Sequence, residues 1–122
     1  MVPLPAGRQD LSADGRFSYG GGELPLKSPW RGRAEQLASH AVRAGAGLFG
    51  YVGVDLVLGE EATGERDYVI EINPRLTTSY LGYRALCNKN LAAAILAVCR
   101  GKEPNLAWRR GPVSWTPSGH EA

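Results

Sequence analysis

The sequence predicts an α+β fold, in which an antiparallel sheet carries helices packed on one face. Residues 50–58 and 68–75 both alternate with period 2, and a Gly-containing segment, residues 62–64, lies midway between them. This pattern is typical of a β-hairpin with a longer loop. Apolar residues recur at helical spacing before the hairpin, in residues 29–44, and after it, in residues 91–100, which predicts two helices.

The composition is that of an ordinary globular domain. Of the 122 residues, 43% are hydrophobic and 21% charged, and the formal net charge is +2. This small, scattered charge predicts no nucleic-acid partner and no membrane-surface partner. No apolar run approaches the length of a membrane span. Cys87 and Cys99 lack metal-type spacing, so we expect two buried free thiols in a cytoplasmic protein.

The N-terminal segment, residues 1–15, is expected to be irregular, because it contains prolines and glycines and few apolar positions. Residues 16–19 alternate and predict a short strand. The three glycines at residues 20–22 have two interpretations: a flexible turn, or successive backbone N–H groups presented to an anion. Their spacing matches no phosphate-loop motif.

The first helix is predicted to begin with Ser28 as the N-cap and Pro29 at the first helical position. It is expected to end near Ala44, before Gly45. Its apolar stripe is expected to cover the apolar face of the hairpin. That face is predicted to carry Val52, Val54, Leu56, Leu58, Tyr68, Ile70 and Ile72.

The polar face of the hairpin carries two carboxylates. A loop centred on Thr63 places Asp55 opposite Glu71, with Asn73 on the same face two residues on. Like charges directly opposite each other destabilise a sheet. A hard cation between them would make the same arrangement stabilising. These oxygen ligands suit Mg²⁺ or Mn²⁺. Gly53 leaves room there for a ligand or another backbone. The alternative is a solvated face on which two carboxylates happen to meet.

The segment after the hairpin, residues 76–84, contains three consecutive hydroxyl side chains and predicts a loop over a site. Asn90 then predicts the cap of the second helix, which Gly101 ends. In the C-terminal tail we expect a short strand at residues 112–115 and frayed last residues.

The hairpin, its carboxylates and the run Glu71-Ile72-Asn73-Pro74-Arg75 resemble the C-terminal lobe of the ATP-grasp ligases. In that superfamily an acidic residue on one strand, with a Glu and an Asn two apart on the next, holds the Mg²⁺ ions of ATP. An Arg that follows contacts phosphate or the acyl phosphate. The resemblance therefore implies that Asp55, Glu71 and Asn73 are metal ligands and that Arg75 is the catalytic anion contact.

A narrower resemblance, to the branch that contains tyramine–glutamate ligase, is carried by three runs. They are residues 15–21, residues 50–58 and residues 71–80. The matched region as a whole lies within residues 8–100.

The resemblance implies an ATP-dependent reaction with Mg²⁺ or Mn²⁺. A small-molecule carboxylate attacks the γ-phosphate to give an acyl phosphate, and an amine then displaces phosphate to form an amide. The hydroxyls of Thr77, Thr78 and Ser79 would line the acceptor side. In the superfamily the phosphate-binding lysines precede this region. We therefore expect the isolated chain to be inactive unless the N-terminal lobes are supplied in cis or in trans.

On this resemblance we divide the chain into three parts: an irregular N-terminal segment (1–15), a partial ATP-grasp C-terminal lobe (16–103) and a tail with prolines and tryptophans (104–122). Two other functions remain open. The chain could be a non-catalytic subunit or interaction module derived from an ATP-grasp enzyme. It could also be a structural domain whose acidic face is incidental.

Overall fold

The computed structural model describes residues 1–121 and confirms an α+β fold, with antiparallel strands and three helices in that range. None of these helices combines the length and apolar character that crossing a membrane requires. In chain order the elements are β1 (Arg8–Leu11), β2 (Tyr19–Leu24), α1 (Trp30–Ala44), β3 (Gly53–Val57), β4 (Tyr68–Asn73), α2 (Tyr80–Leu86), α3 (Leu91–Cys99), β5 (Val113–Thr116) and β6 (Gly119–Glu121).

The chain forms two compact units, which we describe separately. The first contains Met1–Ala6 and Lys27–Thr77, and the second contains Gly7–Leu26 and the chain from Thr78 onward. The first unit holds α1 and the hairpin of β3 and β4. The second holds the remaining strands with α2 and α3. The predicted boundaries at residues 15 and 103 stay a prediction.

The first unit confirms the hairpin and its register as far as Asp55, which lies opposite Glu71 in the ladder. The register shifts immediately after Asp55, so that Leu56 pairs with Val69 rather than with Ile70. A slip of one residue moves the following side chains to the other face of a strand. The apolar face predicted for β4 is therefore wrong on the loop side of this point.

The residues affected are Tyr68 and Ile70, which we predicted in the core. Their side chains are 57% and 64% exposed. Tyr68 pairs with Val57, which is 53% exposed. Because paired residues share a face, Tyr68 and Val57 continue the face that carries Asp55 and Glu71.

Helix α1 packs against both strands of the hairpin. Its predicted start is off by one residue. Pro29 occupies the N-cap position and no side chain caps the helix, so Ser28 lies outside it. The first turn is closed by the backbone, since the N–H of Arg31 donates to the carbonyl of Lys27. The predicted end is confirmed, with Ala44 the last helical residue and Gly45 the C-cap.

An ion pair fixes the loop end of the hairpin to α1. Arg33 Nε donates to Asp67 Oδ2 at 3.0 Å, and Arg33 Nη2 donates to Asp67 Oδ1. Nη2 also donates to the carbonyl of Gly59 at 3.1 Å, and the N–H of Gly59 donates to Asp67 Oδ1 at 2.9 Å. The guanidinium lies over the ring of Trp30, 5.0 Å from its centroid. The Arg33 and Asp67 side chains are only 16% and 9% exposed.

The second unit is built on a four-stranded antiparallel sheet in the order β1-β2-β5-β6. The expectation of an irregular segment at residues 1–15 is wrong for Arg8–Leu11, which pair with β2. Both interpretations of residues 20–22 are also wrong, since these glycines lie inside β2. The strand predicted at residues 112–115 is confirmed as β5. The expected fraying is wrong for Gly119–Glu121, which pair with β5.

Trp115 explains why glycines occupy β2. A Cβ on Gly22 would lie 2.7 Å from Trp115 Cζ2, and a Cβ on Gly21 would lie 2.0 Å from the carbonyl oxygen of Trp115. Gly82 on α2 makes an equally close approach, with a Cβ 2.4 Å from Trp115 Cε3. The indole is buried with Leu24 and Leu86, and its Nε1 donates to the hydroxyl of Tyr19 at 2.7 Å.

The helices of the second unit confirm two local signals and overturn two others. The predicted loop is wrong from Tyr80 onward, where α2 begins. Asn90 caps α3 as predicted, with its Oδ1 accepting from the N–H of Ala93 at 3.0 Å. Gly101, at φ +70°, ends α3 and donates to the carbonyl of Val98. Both thiols are free, but Cys99 is exposed rather than buried.

Candidate functional site

The candidate site lies on the polar face of the β3–β4 hairpin in the first unit. Asp55 and Glu71 are directly opposite each other, and Gly53 is opposite Asn73. Residues paired in this way project from the same face of an antiparallel pair. The structure therefore brings together the two carboxylates that the sequence predicted, with Asp55 half-buried and Glu71 exposed.

Asn73 is the buried member of the group, with only 6% of its surface exposed. Its Nδ2 donates to Asp55 Oδ2 at 3.4 Å. This contact confirms that Asn73 and Asp55 share a face. It also orients the carboxamide so that the nitrogen faces the carboxylate, which leaves the oxygen as the atom suited to a metal ion.

The space left by the missing side chain of Gly53, which we call the notch, is filled by another residue of this chain. A Cβ built on Gly53 would lie 2.8 Å from Cγ2 of Thr77 and 3.8 Å from Cβ of Asn73. We expected a ligand or another backbone at Gly53, whereas the group that approaches it is the side chain of Thr77.

Arg75 lies in the turn that follows β4. Its N–H donates to the carbonyl of Asn73 at 2.8 Å, and its Nη1 donates to the carbonyl of Leu76 at 3.2 Å. The side chain is exposed, as an anion contact requires. Thr78 and Ser79 belong to the second unit, and their place at the acceptor side stays a prediction.

The chemistry of this group fits a hard cation. Within residues 1–119, no three or more His, Cys, Asp or Glu side chains are grouped to hold a metal ion. The predicted set contains two carboxylates and one carboxamide. Mg²⁺ is commonly bound by one or two carboxylates of a protein, while water and substrate phosphates complete its coordination shell.

Sequence reasoning missed an exposed apolar pair beside the carboxylates, Val57 and Tyr68. For Val57 a signal was available, because it follows Gly53 and Asp55 at period 2 on the same face. For Tyr68 there was none, since its place on this face depends on the register shift after Asp55. The pair gives the polar face an apolar extension toward the hairpin loop.

The chain is similar to two tyramine–L-glutamate ligases. The chain is 38% identical over 84 residues to the tyramine–L-glutamate ligase of Methanocaldococcus fervens, covering 69% of this chain and 26% of that protein. It is 33% identical over 101 residues to the tyramine–L-glutamate ligase of Methanocaldococcus jannaschii, covering 83% of this chain and 30% of that protein. The matches thus span less than a third of either relative. No solved structure matches significantly.

The match to a family extends to the first residue of the chain. The sequence profile of the ATP-grasp domain covers residues 1–79, which include the hairpin, its carboxylates and Arg75. The matched length is well over half of the 122 residues. This chain belongs to the ATP-grasp family.

Proposed function

We propose that this chain is the C-terminal, Mg-ATP-binding part of an ATP-dependent carboxylate–amine ligase, which forms an amide through an acyl phosphate. The observation that carries the proposal is the pairing of Asp55 with Glu71, joined by the hydrogen bond from Asn73 to Asp55. Two carboxylates opposite each other disfavour the apo hairpin, and a divalent cation makes the same arrangement favourable.

The residues of the site would act by neutralising and aligning charge. Bound Mg²⁺ would screen the β- and γ-phosphates of ATP against the incoming carboxylate. Asp55, Glu71 and the oxygen of Asn73 would hold one or two such ions. Arg75 would present a fork of N–H donors to the transferred phosphoryl group. Its exposed position at the end of β4 supports this role.

The apolar extension supports a nucleotide as the ligand rather than a metal ion alone. Val57 and Tyr68 are exposed on the face that carries the carboxylates. A base that contacts their side chains would bury apolar area while the phosphates lie against the metal ligands. We infer that the adenine end of ATP lies toward the hairpin loop and that the phosphates lie toward Arg75.

The substrates are inferred from the relatives, which are named for joining tyramine and L-glutamate. We infer that the longer protein joins an amine to a carboxylate of this kind. Since the chain spans 26–30% of these relatives, the remaining lobes would be supplied in cis or in trans. We expect no amide formation by residues 1–122 alone.

The same partial coverage supports one other candidate, a non-catalytic subunit that keeps the fold and works as a partner surface. The two candidates differ at the hairpin, because a ligase part must bind both metal and nucleotide through Asp55 and Glu71, whereas the non-catalytic subunit would keep at most a weak metal site. Binding of Mn²⁺ with ADP is therefore the measurement that separates them.

The experiment is a calorimetric and NMR titration of Mn²⁺ or Mg²⁺ with ADP into the purified chain and into the Asp55→Asn/Glu71→Gln variant. Mg²⁺ is used for NMR because it is diamagnetic. Glu60→Gln/Glu61→Gln is the matched control, because it removes two exposed carboxylates from the hairpin loop. We expect binding by the wild type and the control, and a loss of at least about tenfold in the site variant.

Equal binding by all three proteins would place the metal elsewhere and refute the site. No binding by any of them would contradict a retained half-site in the isolated chain. The titration would then be repeated with the N-terminal lobes of a relative added in trans.

A further inference from the structure

The segment that carries Arg75 folds back onto the start of β3. The turn begins at Asn73, whose carbonyl accepts from the N–H of Arg75 at 2.8 Å. Pro74, Arg75 and Leu76 are exposed, whereas Thr77 is half-buried. Thr77 is therefore the point at which this segment returns to the body of the first unit.

The contact that Thr77 makes there depends on the missing side chain of Gly53. A Cβ on Gly53 would lie 2.8 Å from Thr77 Cγ2 but 3.5 Å from Thr77 Oγ1, so the methyl group makes the closer approach. Gly53 is not among the glycines with positive φ. Glycine is therefore needed here for space rather than for backbone conformation.

These contacts tether the Arg75 segment at both ends. Asn73 is held in the ladder opposite Gly53, and Thr77 packs on the same glycine. A short segment fixed at both ends has lost much of its conformational freedom before any ligand arrives. Preorganisation of this kind raises affinity, because less ordering remains to be done on binding.

We propose that Thr77 is a positioning residue, which holds Arg75 beside the carboxylate face through its methyl group, and that Gly53 is the notch that receives the methyl. The proposal rests on the proposed function, which gives Arg75 its anion contact. It differs from the sequence-based expectation for Thr77, in which the hydroxyl lines the acceptor side.

The test distinguishes the contribution of the Thr77 methyl group from that of its hydroxyl group. Thr77→Ser removes the methyl and keeps the hydroxyl, whereas Thr77→Val keeps a methyl at the same branch and removes the hydroxyl. Thr63→Ser is the matched control, because it removes the same methyl from an exposed threonine in the hairpin loop. Gly53→Ala tests the same contact by changing its other partner, because the added Cβ must displace the side chain of Thr77.

The first measurement needs no ligand. The heteronuclear ¹⁵N–¹H NOE of the Arg75 and Leu76 amides reports their motion on the picosecond to nanosecond scale. We expect it to fall in Thr77→Ser and Gly53→Ala and to be unchanged in Thr77→Val and in the control. An unchanged NOE in Thr77→Ser would overturn the proposal, and that variant still decides the matter if Gly53→Ala does not fold.

The second measurement shows whether Thr77 acts through Arg75. We expect Thr77→Ser to weaken binding of Mn²⁺ with ADP about threefold or more, and Thr77→Val to leave it within about twofold. In an Arg75→Ala background, Thr77→Ser should have no further effect. A loss in Thr77→Val with none in Thr77→Ser, or additive losses in the double variant, would overturn the proposal.

Together the two measurements distinguish a failure of the positioning role from a failure of the proposed function on which it rests. If the wild-type chain does not bind Mn²⁺ with ADP, the proposed half-site fails, and the NOE measurement alone decides whether Thr77 orders the Arg75 segment. If the wild-type chain binds and Thr77→Ser behaves like the control, the half-site stands and the positioning role fails.

Discussion

The two ends of the β3–β4 hairpin place carboxylates in opposite electrostatic environments. At the loop end, Asp67 meets the guanidinium of Arg33 in a two-pronged ion pair that is largely withdrawn from solvent. At the open end, Asp55 lies directly opposite a second carboxylate, that of Glu71. Asp67 lies just before β4 and takes its partner from α1, whereas Asp55 and Glu71 face each other within the strand ladder.

The difference separates a carboxylate that stabilises the fold from the pair of carboxylates to which we assign ligand binding. The charge of Asp67 is neutralised by a cation of the protein, and its oxygens also accept from the N–H of Gly59. The paired charges of Asp55 and Glu71 instead oppose each other, which lowers the stability of the hairpin unless a cation intervenes. Substitutions at the two ends should therefore change stability in opposite directions.

The largest effect is expected at the loop end. Asp67→Asn removes the charge that balances Arg33, and a largely buried guanidinium without its counter-ion is costly. We expect the midpoint of thermal unfolding to fall by at least several degrees, as followed by circular dichroism. Glu61→Gln is the control, because it breaks an exposed ion pair to Arg66 in the same loop. An equal effect of the two substitutions would show that burial of the Arg33 pair contributes nothing.

The pH dependence of stability sharpens the same contrast. Hydrogen bonds from the Arg33 guanidinium hold the pKa of Asp67 below its usual value of 3.8; burial opposes this shift, and the Gly59 N–H adds to it. Because the folded-state pKa lies below the unfolded one, the stabilisation is complete above pH 3.8. It is lost as the pH falls through the folded-state pKa. Urea unfolding between pH 5 and about pH 2 should therefore show a smaller loss of stability in Asp67→Asn than in the wild type.

The fold was predictable wherever the determining contacts are local in sequence. The Asn90 cap depends on an N–H three residues away, and the pairing of Asp55 with Glu71 follows from the midpoint of the loop. The glycines of β2 were misread because the residue that requires them, Trp115, lies more than ninety positions later. Helix α2 was missed for a related reason, since its Gly82 packs against the same indole.

The site was predictable for the residues before the register shift and not for those after it. Period-2 alternation places Asp55, Glu71 and Asn73 on one face without knowledge of any other element. The slip after Asp55 has no signature in that alternation, and it moves Tyr68 out of the predicted core. The contact of the Thr77 methyl group with Gly53 could not be predicted either, because it requires the chain to fold back after β4.

At the open end, removing charge is expected to stabilise the protein. Asp55→Asn/Glu71→Gln replaces two opposed carboxylates by neutral side chains of the same shape. We expect the free energy of unfolding without metal to rise by about 0.2–1 kcal/mol. Mn²⁺ with ADP should raise the unfolding midpoint of the wild type and leave that of the variant unchanged. A variant less stable than the wild type would mean that these carboxylates stabilise the fold, as Asp67 does.

The smallest effect is expected between the two ends, at the exposed apolar pair. Val57→Ser removes apolar area next to the carboxylates without changing charge, and it should weaken ADP binding in the presence of Mn²⁺ by about threefold. Pyrophosphate with Mn²⁺ is the matched ligand, because it keeps the phosphates and lacks the base. Its affinity should not change. If both ligands lose affinity equally, Val57 supports the carboxylates rather than the base. The nucleotide would then not extend toward the hairpin loop, and the division of the hairpin into a stabilising end and a binding end would stop at Asp55.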